Sequence, residues 1–381
     1  MKIIFFTSYT NDYLKYFYNK YKNINFDELP YSSHLDLIID DYMGVLGSNT
    51  RHAKKQGHDA SLLVCNDEAL QRKWERENNI EFSESSWQFT LPLEQLKLMK
   101  PDVFLIPSMF SYYGNFIKEA HKYCKKIASW IACPIPANLK LNDIDIIFSS
   151  TMYFVDLFRS KGLKSELVTV AFDGDILKHL KPDTEADISF SFIGSLSGYH
   201  SKRDYYLDKL IKETDIQLFT KLGKGSVLER LKDIYRSEWP GNLQIYLPRL
   251  FAPLDLASRN HGQVWGLDMH DAIKQSKIVF NAHIDIAGEY VGNMRMYEVT
   301  GNGSLLLTDT GKNMEELFEP EVEVVTYKSP EEAIEKYNYL INNEEKRKQI
   351  AKAGQLKTLN VHNMQNHVRK MLTFLENLLI S

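Results

Sequence analysis

Short apolar runs alternate with longer amphipathic stretches along the whole chain. In several of these runs Ile, Leu, Val and Phe follow one another without period-two alternation. Such runs are typical of strands buried on both faces of a parallel sheet. The pattern predicts strands at Lys2–Thr7, Ala60–Cys65, Val103–Ile106, Ile127–Ile131, Ile144–Ser149, Leu167–Val170, Ile188–Ile193, Ile216–Phe219, Leu243–Leu247, Ile278–Ala282, Ser304–Thr308 and Val322–Tyr327.

The stretches between these runs have helical periodicity. A polar, aromatic insertion, Tyr9–His34, separates the first strand from the first helix, and we expect it to form a loop. The predicted helices are Leu35–Gln56, Glu68–Asn78, Tyr112–Cys124, Met152–Lys161, Lys202–Glu213, Val227–Ser237, Met269–Gln275, Met294–Thr300, Glu331–Asn342, Glu344–Lys357 and a final helix, Val361–Ile380.

Each half of the chain therefore resembles a doubly wound α/β unit. Apolar periodicity lapses over Phe172–Ala186, where a proline and several acids cluster, so the junction is placed there. The predicted organisation is a Rossmann-like domain over 1–171, a second over 186–360, and a crossover helix over 361–381 that packs back towards the first domain. Two such domains facing across a cleft would bind a ligand between the carboxyl edges of their sheets.

Composition excludes several classes of protein. The chain has 381 residues, of which 44% are apolar and 25% charged, as in an ordinary globular protein of two domains. A formal net charge of -4 gives no reason to expect a nucleic-acid partner. The three cysteines form no CxxC pair, which predicts neither a disulfide framework nor a zinc site and suits a reducing compartment.

The expected location is cytoplasmic. The apolar start of the chain is too short for a signal peptide, and no run approaches the ~18 apolar residues of a membrane span. The basic clusters Arg51–Lys55 and Lys122–Lys126 are either solvated helix faces or contacts to the inner face of a membrane.

The most informative stretch is Asn281–Thr308, in which a polar loop and a short helix follow a buried strand. Asn293 is a good N-cap type, and free N–H groups at a helix start attract anionic oxygens. Arg295 in the first turn could fork onto a phosphate, and Glu298 could accept hydrogen bonds from the hydroxyls of a ribose. From spacing alone, an i,i+3 ion pair between Arg295 and Glu298 is an equally good interpretation.

This stretch resembles the C-terminal signature of the CgeB-like glycosyltransferases, relatives of the GT4-type enzymes with the GT-B fold. The family has an Arg-x-aromatic-Glu helix, a Gly-containing turn and an apolar strand. The matching residues here are Arg295-Met296-Tyr297-Glu298, then Gly301 and Gly303, then Leu305-Leu306-Leu307, followed by Tyr327–Glu332 and His362. A weaker resemblance covers most of the chain, at Leu35–Leu63, Lys100–Val103, Phe158–Gly162, Phe192–Ser195, Arg203, Val264–Gly266 and Lys274–His283.

The resemblance implies a glycosyltransferase with two Rossmann-like domains, the first for the acceptor and the second for a UDP, dTDP or GDP sugar. Its site residues would be Arg295 at the diphosphate with Arg203 in support, Glu298 at the ribose, Gly194 and Ser195 at the phosphates, Val264 to Gly266 at the base, Asn293 at the helix start, and His283 near the sugar. For His283, a side chain satisfied near a strand end is an equal alternative. The GT4-type second glutamate is replaced by Val291, which weakens any inference that the anomeric configuration is retained.

An inverting transferase needs a general base for the acceptor hydroxyl. The candidates are Asp41, Asp40 and His34, in that order, each of which could instead serve helix capping. No metal or other cofactor is predicted to be required, because cationic side chains and helix N-termini can stabilise a leaving diphosphate. Asp143-Ile144-Asp145 and Asp173-Gly174-Asp175 resemble the DxD metal motif of the GT-A fold, but the first begins an apolar strand and the second lies in the junction, so a metal role is the minor alternative.

The sequence lacks the motifs of three other enzyme classes. No GxxxxGK[ST], no GxGxxG after the first strand and no GxSxG elbow is present, against a P-loop kinase, a nicotinamide enzyme and an α/β-hydrolase. The acceptor would be a glycan, a lipid-linked compound or a protein. The alternatives to transfer are a sugar-nucleotide epimerase and a two-lobed binding protein without catalysis.

Overall fold

A computed structural model describes residues 1–182, 185–195, 201–221, 258–283 and 289–380 of the chain. Two predicted elements, the strand Leu243–Leu247 and the helix Val227–Ser237, lie outside these residues. In the part of the chain that is described, no helix is both long and apolar enough to cross a membrane.

The described residues form two parallel sheets. The first has the order β2-β1-β3-β4-β5-β6, and the second has the order β11-β10-β9-β7-β8. Every pairing between neighbouring strands is parallel. The strands are β1 Lys2–Thr7, β2 Asp59–Val64, β3 Val103–Pro107, β4 Lys126–Trp130, β5 Ile146–Ser149, β6 Ser165–Leu167, β7 Ile188–Ile193, β8 Gln217–Phe219, β9 Ser276–Asn281, β10 Leu305–Asp309 and β11 Val325–Tyr327.

Helices connect the strands, as parallel pairing requires. The α-helices are α1 Asn11–Lys20, α2 Tyr31–Asp40, α3 Leu46–Lys55, α4 Glu68–Asn78, α5 Trp87–Met99, α6 Asn115–Ala120, α7 Met152–Ser160, α8 Ser201–Glu213, α9 Gly266–Lys274, α10 Met294–Gly301, α11 Met314–Leu317, α12 Pro330–Ile341, α13 Glu344–Asn360 and α14 Met364–Ile380. Single 3₁₀ turns occur at Phe26–Glu28, Phe110–Tyr112 and Gly174–Lys178.

The chain divides into two compact units. The first comprises Met1–Asp173, Trp265–Leu267 and His362–Ser381, and the second comprises Gly174–Val264 and Asp268–Val361. In the first unit α14 packs on α3 and β4. Each unit is an α/β unit built on one parallel sheet, as the hydrophobic pattern predicts.

Both faces of the first sheet are buried. Along β1, Ile3 and Phe5 belong to one apolar core, and Ile4 and Phe6 belong to the other. Because side chains alternate across a strand, a run without polar positions fills both cores at once. This explains why the unbroken apolar run at the start of the chain forms a central strand.

One predicted helix is wrong. The stretch Leu35–Gln56 forms two helices, α2 and α3, and not one. The break follows Asp40, where Tyr42 and Gly44 adopt φ angles of 55° and 72°. Positive φ angles stop a right-handed helix, so Asp40 and Asp41 lie at the end of α2 and not near the start of a long helix.

The insertion Tyr9–His34 is also more ordered than predicted. It contains α1, the turn Phe26–Glu28 and the first residues of α2. Thr10 caps α1 by accepting a hydrogen bond from the backbone of Tyr13, and Tyr13 and Phe17 are fully buried. Aromatic residues that appeared to belong to a loop are therefore the apolar face of a helix in the first core.

Asp41 lies at a crowded point of the first unit. Its backbone carbonyl accepts a hydrogen bond from Leu267 at 3.0 Å. Gly266 has a φ of +51°, and a Cβ atom there would lie 2.3 Å from the carbonyl oxygen of Asp41. Only glycine fits this contact without a shift of the backbone.

Gly266→Ala is therefore expected to destabilise the protein more than Gly44→Ala. Both positions have positive φ, which costs an alanine about 1–2 kcal/mol. The Gly44 position has no atom within 4 Å, whereas Gly266 adds a clash with Asp41, worth about 1–3 kcal/mol more. Urea denaturation of the two variants measures the difference, and equal losses would contradict the contact.

The buried imidazole of His34 predicts a pH dependence of stability. Burial, with a smaller effect of Lys73, lowers the pKa of His34 to about 4. The ring is thus neutral in the fold but takes up a proton on unfolding below its ordinary pKa of about 6.5. Stability that is present above pH 6.5 is then lost as the pH falls towards 4, by about 1.4 kcal/mol per pH unit.

His34→Gln should remove this component, so its free energy of unfolding should fall less steeply than that of the wild type between pH 6.5 and 4. Asp67, whose pKa burial raises, acts in the opposite direction in both proteins. Denaturant titrations at several pH values measure both slopes. Parallel slopes would refute the prediction.

Candidate functional site

The candidate site lies at the carboxyl edge of the second sheet, where β9 ends at Asn281 and β10 ends at Asp309. Helix α10 begins close to these strand ends. Ligands of open α/β sheets bind at this edge, because the loops and helix N-termini point outward there.

A pair of amides joins β9 to the start of α10. The side chain of Asn293 donates to Asn281 at 3.0 Å, and Asn281 donates back to Asn293 at 3.2 Å. Asn281 also donates to the hydroxyl of Thr308 at 2.9 Å. Asn293 occupies the N-cap position of α10 with an extended backbone, yet its side chain makes no capping hydrogen bond. The amide is instead held by the strand end.

This arrangement leaves the first turn of α10 without a side-chain cap. The first N–H groups of a helix have no intrahelical acceptor and carry the positive end of the helix dipole. An uncapped helix start at the carboxyl edge of a sheet is a suitable place for anionic oxygens.

His283 orders the loop before α10. Its Nε2 accepts hydrogen bonds from the backbone N–H groups of Gly292 at 2.9 Å and Asn293 at 3.3 Å. Nδ1 must therefore carry the hydrogen, which it donates to Asp309 at 2.7 Å. The side chain is buried and both ring nitrogens are engaged, the pattern of a histidine satisfied near a strand end.

Hydrogen bonds from Lys312 and Asn313 hold the same loop. Asn313 donates to the carbonyl of Val291 at 2.9 Å and accepts from its N–H at 2.8 Å. The N–H of Lys312 donates to the carbonyl of Glu289 at 2.8 Å. A Cβ atom at Gly311 would lie 2.9 Å from that same carbonyl. The two backbone segments, at Glu289 and at Gly311, therefore lie too close together for any residue larger than glycine.

Arg295 and Glu298 form an ion pair, with 2.6 Å between Nη1 and Oε2. Nη1 of Arg295 also lies 3.3 Å from the sulfur of Met269. The two side chains are 17% and 15% exposed, so the pair is mostly covered but open to solvent on one side. The i,i+3 pair that the spacing allowed therefore forms, and it joins the first and second turns of α10.

Arg203 holds the loop after β7 in place. Its guanidinium donates to the backbone carbonyl of Ser195 and lies 5.6 Å from the ring centroid of Phe192. The N–H of Gly194 donates to the backbone carbonyl of Phe219 at 3.2 Å, and a Cβ atom at Gly194 would lie 3.0 Å from the ring of Phe192. These contacts place Gly194, Ser195 and Arg203 together at the end of β7.

The predicted base-binding segment has mixed surroundings. Val264 is partly exposed, whereas Gly266 is buried against Asp41 in the first unit. The contact with Asp41 thus explains why position 266 is glycine, without any role in binding the base.

Two of the three candidate bases are fully buried. The carboxylate of Asp41 accepts from Lys20 at 2.9 Å, from Tyr13 at 3.0 Å and from Tyr21 at 3.3 Å. His34 is 0% exposed and contacts the hydroxyl of Tyr18 at 3.0 Å. These contacts hold α1 and α2 together and keep both groups away from solvent.

Asp40 differs from the other two candidates. Its side chain is 62% exposed, and one oxygen lies 3.1 Å from Arg51. Arg51 is itself fixed, because it donates to the carbonyl of Ile39 and stacks on Tyr42, with 3.8 Å to the ring centroid. Among the three, only the carboxylate of Asp40 can meet a molecule from solution.

Sequence reasoning missed the residues that hold the site in place. The sequence analysis gave no role to Asp309 or Asn313, and it named Thr308 and Tyr327 only as the ends of longer stretches. The Tyr327 hydroxyl donates to the carbonyl of Asn281 at 2.6 Å, and burial, with the nearby Asp309, raises the pKa of Tyr327 well above its usual value. The available signal was polar residues at the last position of adjacent buried strands.

One protein-family model matches part of the chain. Residues 203–373 match the family model described as glycosyl transferase-like. These residues include α10, Arg295 and Glu298. A search of curated proteins found no match.

Solved structures give the fold of the whole chain. An α-glucosyltransferase in complex with UDP-glucose and DNA has a TM-score of 0.61 at 11% identity, covering 99% of both chains. HepE of Anabaena, in complex with UDP and glucose, has a TM-score of 0.58 at 11% identity over 99% of this chain and 100% of its own. A glycosyltransferase from Rickettsia africae has a TM-score of 0.58 at 12% identity over 99% and 98%.

Likeness at these identities establishes fold and not substrate. The parallel α/β units and their order match these structures from end to end. The chain therefore has the GT-B fold, and its second half matches the glycosyl transferase-like family.

Proposed function

We propose that this protein is a glycosyltransferase, of the CgeB-like, GT4-related kind, that moves a sugar from a nucleoside-diphosphate sugar to a glycan, lipid-linked or protein acceptor. The observation that carries the proposal is the Arg295–Glu298 pair. The pair is partly exposed and spans the first two turns of α10, whose start has no side-chain cap. The cation and the uncapped N–H groups would bind the diphosphate, and the carboxylate would bind the ribose hydroxyls.

Without a ligand, the two charges satisfy each other. A diphosphate would offer the guanidinium of Arg295 a better partner, because its oxygens match the planar fork of donors. Glu298 would then be released to accept from ribose hydroxyls. The ion pair is thus compatible with binding, since it stores both groups in a covered position until a nucleotide separates them.

The ordered loop supports this role. His283, Asp309 and Asn281 fix the backbone just before α10, so the N–H groups of its first turn point in a constant direction. A site preorganised in this way stabilises the charge that develops on a departing diphosphate. Arg295 and these N–H groups could supply that stabilisation without a metal ion.

The likeness to structures that contain UDP or UDP-glucose makes uridine donors the first to test. The acceptor is expected to meet the first unit, and Asp40 is the candidate general base because its carboxylate is exposed.

Glu298→Gln should weaken binding of the matching nucleoside diphosphate about 10- to 100-fold, because a carboxylate that accepts hydrogen bonds contributes about 1.5–3 kcal/mol. Arg295→Gln should weaken the diphosphate by a similar factor but leave the bare nucleoside unaffected. Calorimetric titration with UDP, dTDP, GDP and uridine measures both. Glu335→Gln, an exposed acid on α12, is the matched control.

Binding of no nucleotide, or equal affinity in the wild type and Glu298→Gln, would reduce the pair to an ordinary helix contact and remove the basis of the proposal.

Asp40→Asn should lower the transfer rate about 10²- to 10⁴-fold, the usual contribution of a general base, while nucleotide affinity stays unchanged. Asp36→Asn, on an exposed position of the same helix, is the control. Donor turnover is measured with and without acceptor sugars. Conversion of the sugar nucleotide to an isomer without any acceptor would instead identify an epimerase, and binding without turnover would identify a non-catalytic protein.

A further inference from the structure

A polar cavity of about 570 Å³ lies at the opposite edge of the second sheet from the candidate nucleotide site. Ser276 and Lys277 begin β9, and Gly303 and Ser304 precede β10, so the cavity is at the amino ends of these strands. The first turns of α13 close it. It is lined by Glu185, Ala186, Lys274, Ser276, Lys277, Gly303, Ser304, Glu344, Arg347, Lys348 and Ala351.

This cavity is separate from the candidate nucleotide site. Asn281 and Asp309, at the carboxyl ends of the same two strands, belong to that site, whereas Lys277 and Ser304 lie at the beginnings. A strand rises about 3.3 Å per residue, so the two sites are roughly 15–20 Å apart.

The lining is cationic. It contains four basic side chains and two carboxylates. Lys348 pairs with Glu344, and Lys274 donates to the carbonyl of Lys181 at 2.8 Å. The pKa of Glu344 is lowered, first by Lys348 and also by Arg347 and Lys277. The positive charges therefore converge on one opening.

Arg347 is the unusual member of this group. The residue is only 6% exposed, yet no hydrogen bond or ion pair to another described residue satisfies its guanidinium. Burying an unpaired charge is costly, and a buried guanidinium is normally hydrogen-bonded or paired. Arg347 lines the cavity, so the space that its donors face is the space in which a partner would lie.

A further positive element is the start of α13, a helix of 17 residues whose N-cap, Asn343, makes no side-chain capping bond. Its N-terminal dipole adds to the charge of Arg347, which lies in its first turns. Either feature alone would be common. The guanidinium of Arg347, which lines the cavity without a hydrogen bond to a described residue, is the feature that points to a ligand.

We propose that this cavity binds a phosphate group, either inorganic phosphate or the terminal group of a small, hydroxyl-bearing phosphomonoester. Arg347 would supply a planar fork to two phosphate oxygens, and Lys277 would supply a second cation. The volume exceeds that of a phosphate ion and is within the range of small-molecule sites. Glu185 and Glu344 would accept hydrogen bonds from hydroxyls of the ester, which favours the ester over the free ion.

The proposal does not rest on glycosyl transfer and has its own test. Inorganic phosphate and a hexose monophosphate are each titrated calorimetrically at constant ionic strength into the wild type, Arg347→Leu, Lys277→Gln and Lys346→Gln. Lys346 is an exposed neighbour on α13 that does not line the cavity, so it serves as the matched control. Saturable binding is expected in the wild type and control, and at least about tenfold weaker binding in the other two.

Thermal unfolding gives a second readout. Without phosphate, Arg347→Leu should unfold close to the wild-type temperature, because the guanidinium makes no hydrogen bond or ion pair to a described residue. With phosphate, the wild type should gain stability by mass action and Arg347→Leu should not. If Arg347→Leu does not fold, the affinity of Lys277→Gln decides the matter.

The proposal is overturned if the wild type binds neither probe at millimolar concentration, or if Arg347→Leu and Lys277→Gln bind as the wild type does. It is also overturned if Glu298→Gln abolishes phosphate binding, since the phosphate would then occupy the nucleotide site. Tighter binding of the hexose monophosphate identifies the ester as the ligand, and equal binding of both identifies the phosphate group alone.

Discussion

The candidate site depends on how the start of α10 is held against the ends of β9 and β10. The side chain of Asn293 donates a hydrogen bond to Asn281. The imidazole of His283 accepts hydrogen bonds from two backbone N–H groups and donates one to Asp309. A side chain that would otherwise cap the helix is thereby used to fix its position. The N–H groups of the first turn are left for a ligand, and Arg295 is placed beside them.

Much of the architecture could be predicted from the pattern of apolar residues. Strands of a parallel sheet are covered on both faces, so they appear as unbroken apolar runs, and β1 was predicted with its observed bounds, Lys2–Thr7. The sequence also locates the start of α10, with Arg295 and Glu298, because an N-cap residue type, a Gly turn and a following strand are local features. That the side chain of Asn293 does not cap the helix is seen only in the structure. Spacing predicted that these two residues share a face, and the structure shows that they form an ion pair.

Other features depend on contacts that are distant in sequence. Tyr42 and Gly44 end α2 through positive φ angles, which hydrophobic periodicity does not reveal. The sequence makes Asp41 a candidate base but does not reveal that its carboxylate is buried and accepts hydrogen bonds from Lys20 and Tyr13. Arg347 gave no sequence signal, because its importance comes from the lack of a partner in a buried position.

The central claim is that a nucleoside diphosphate separates Arg295 from Glu298. A crystal structure of the protein with bound UDP tests it most directly. The account predicts phosphate oxygens within hydrogen-bond distance of the Arg295 guanidinium and the first N–H groups of α10, ribose hydroxyls at Glu298, and a broken ion pair. UDP bound elsewhere, with Nη1 of Arg295 still 2.6 Å from Oε2 of Glu298, would contradict it.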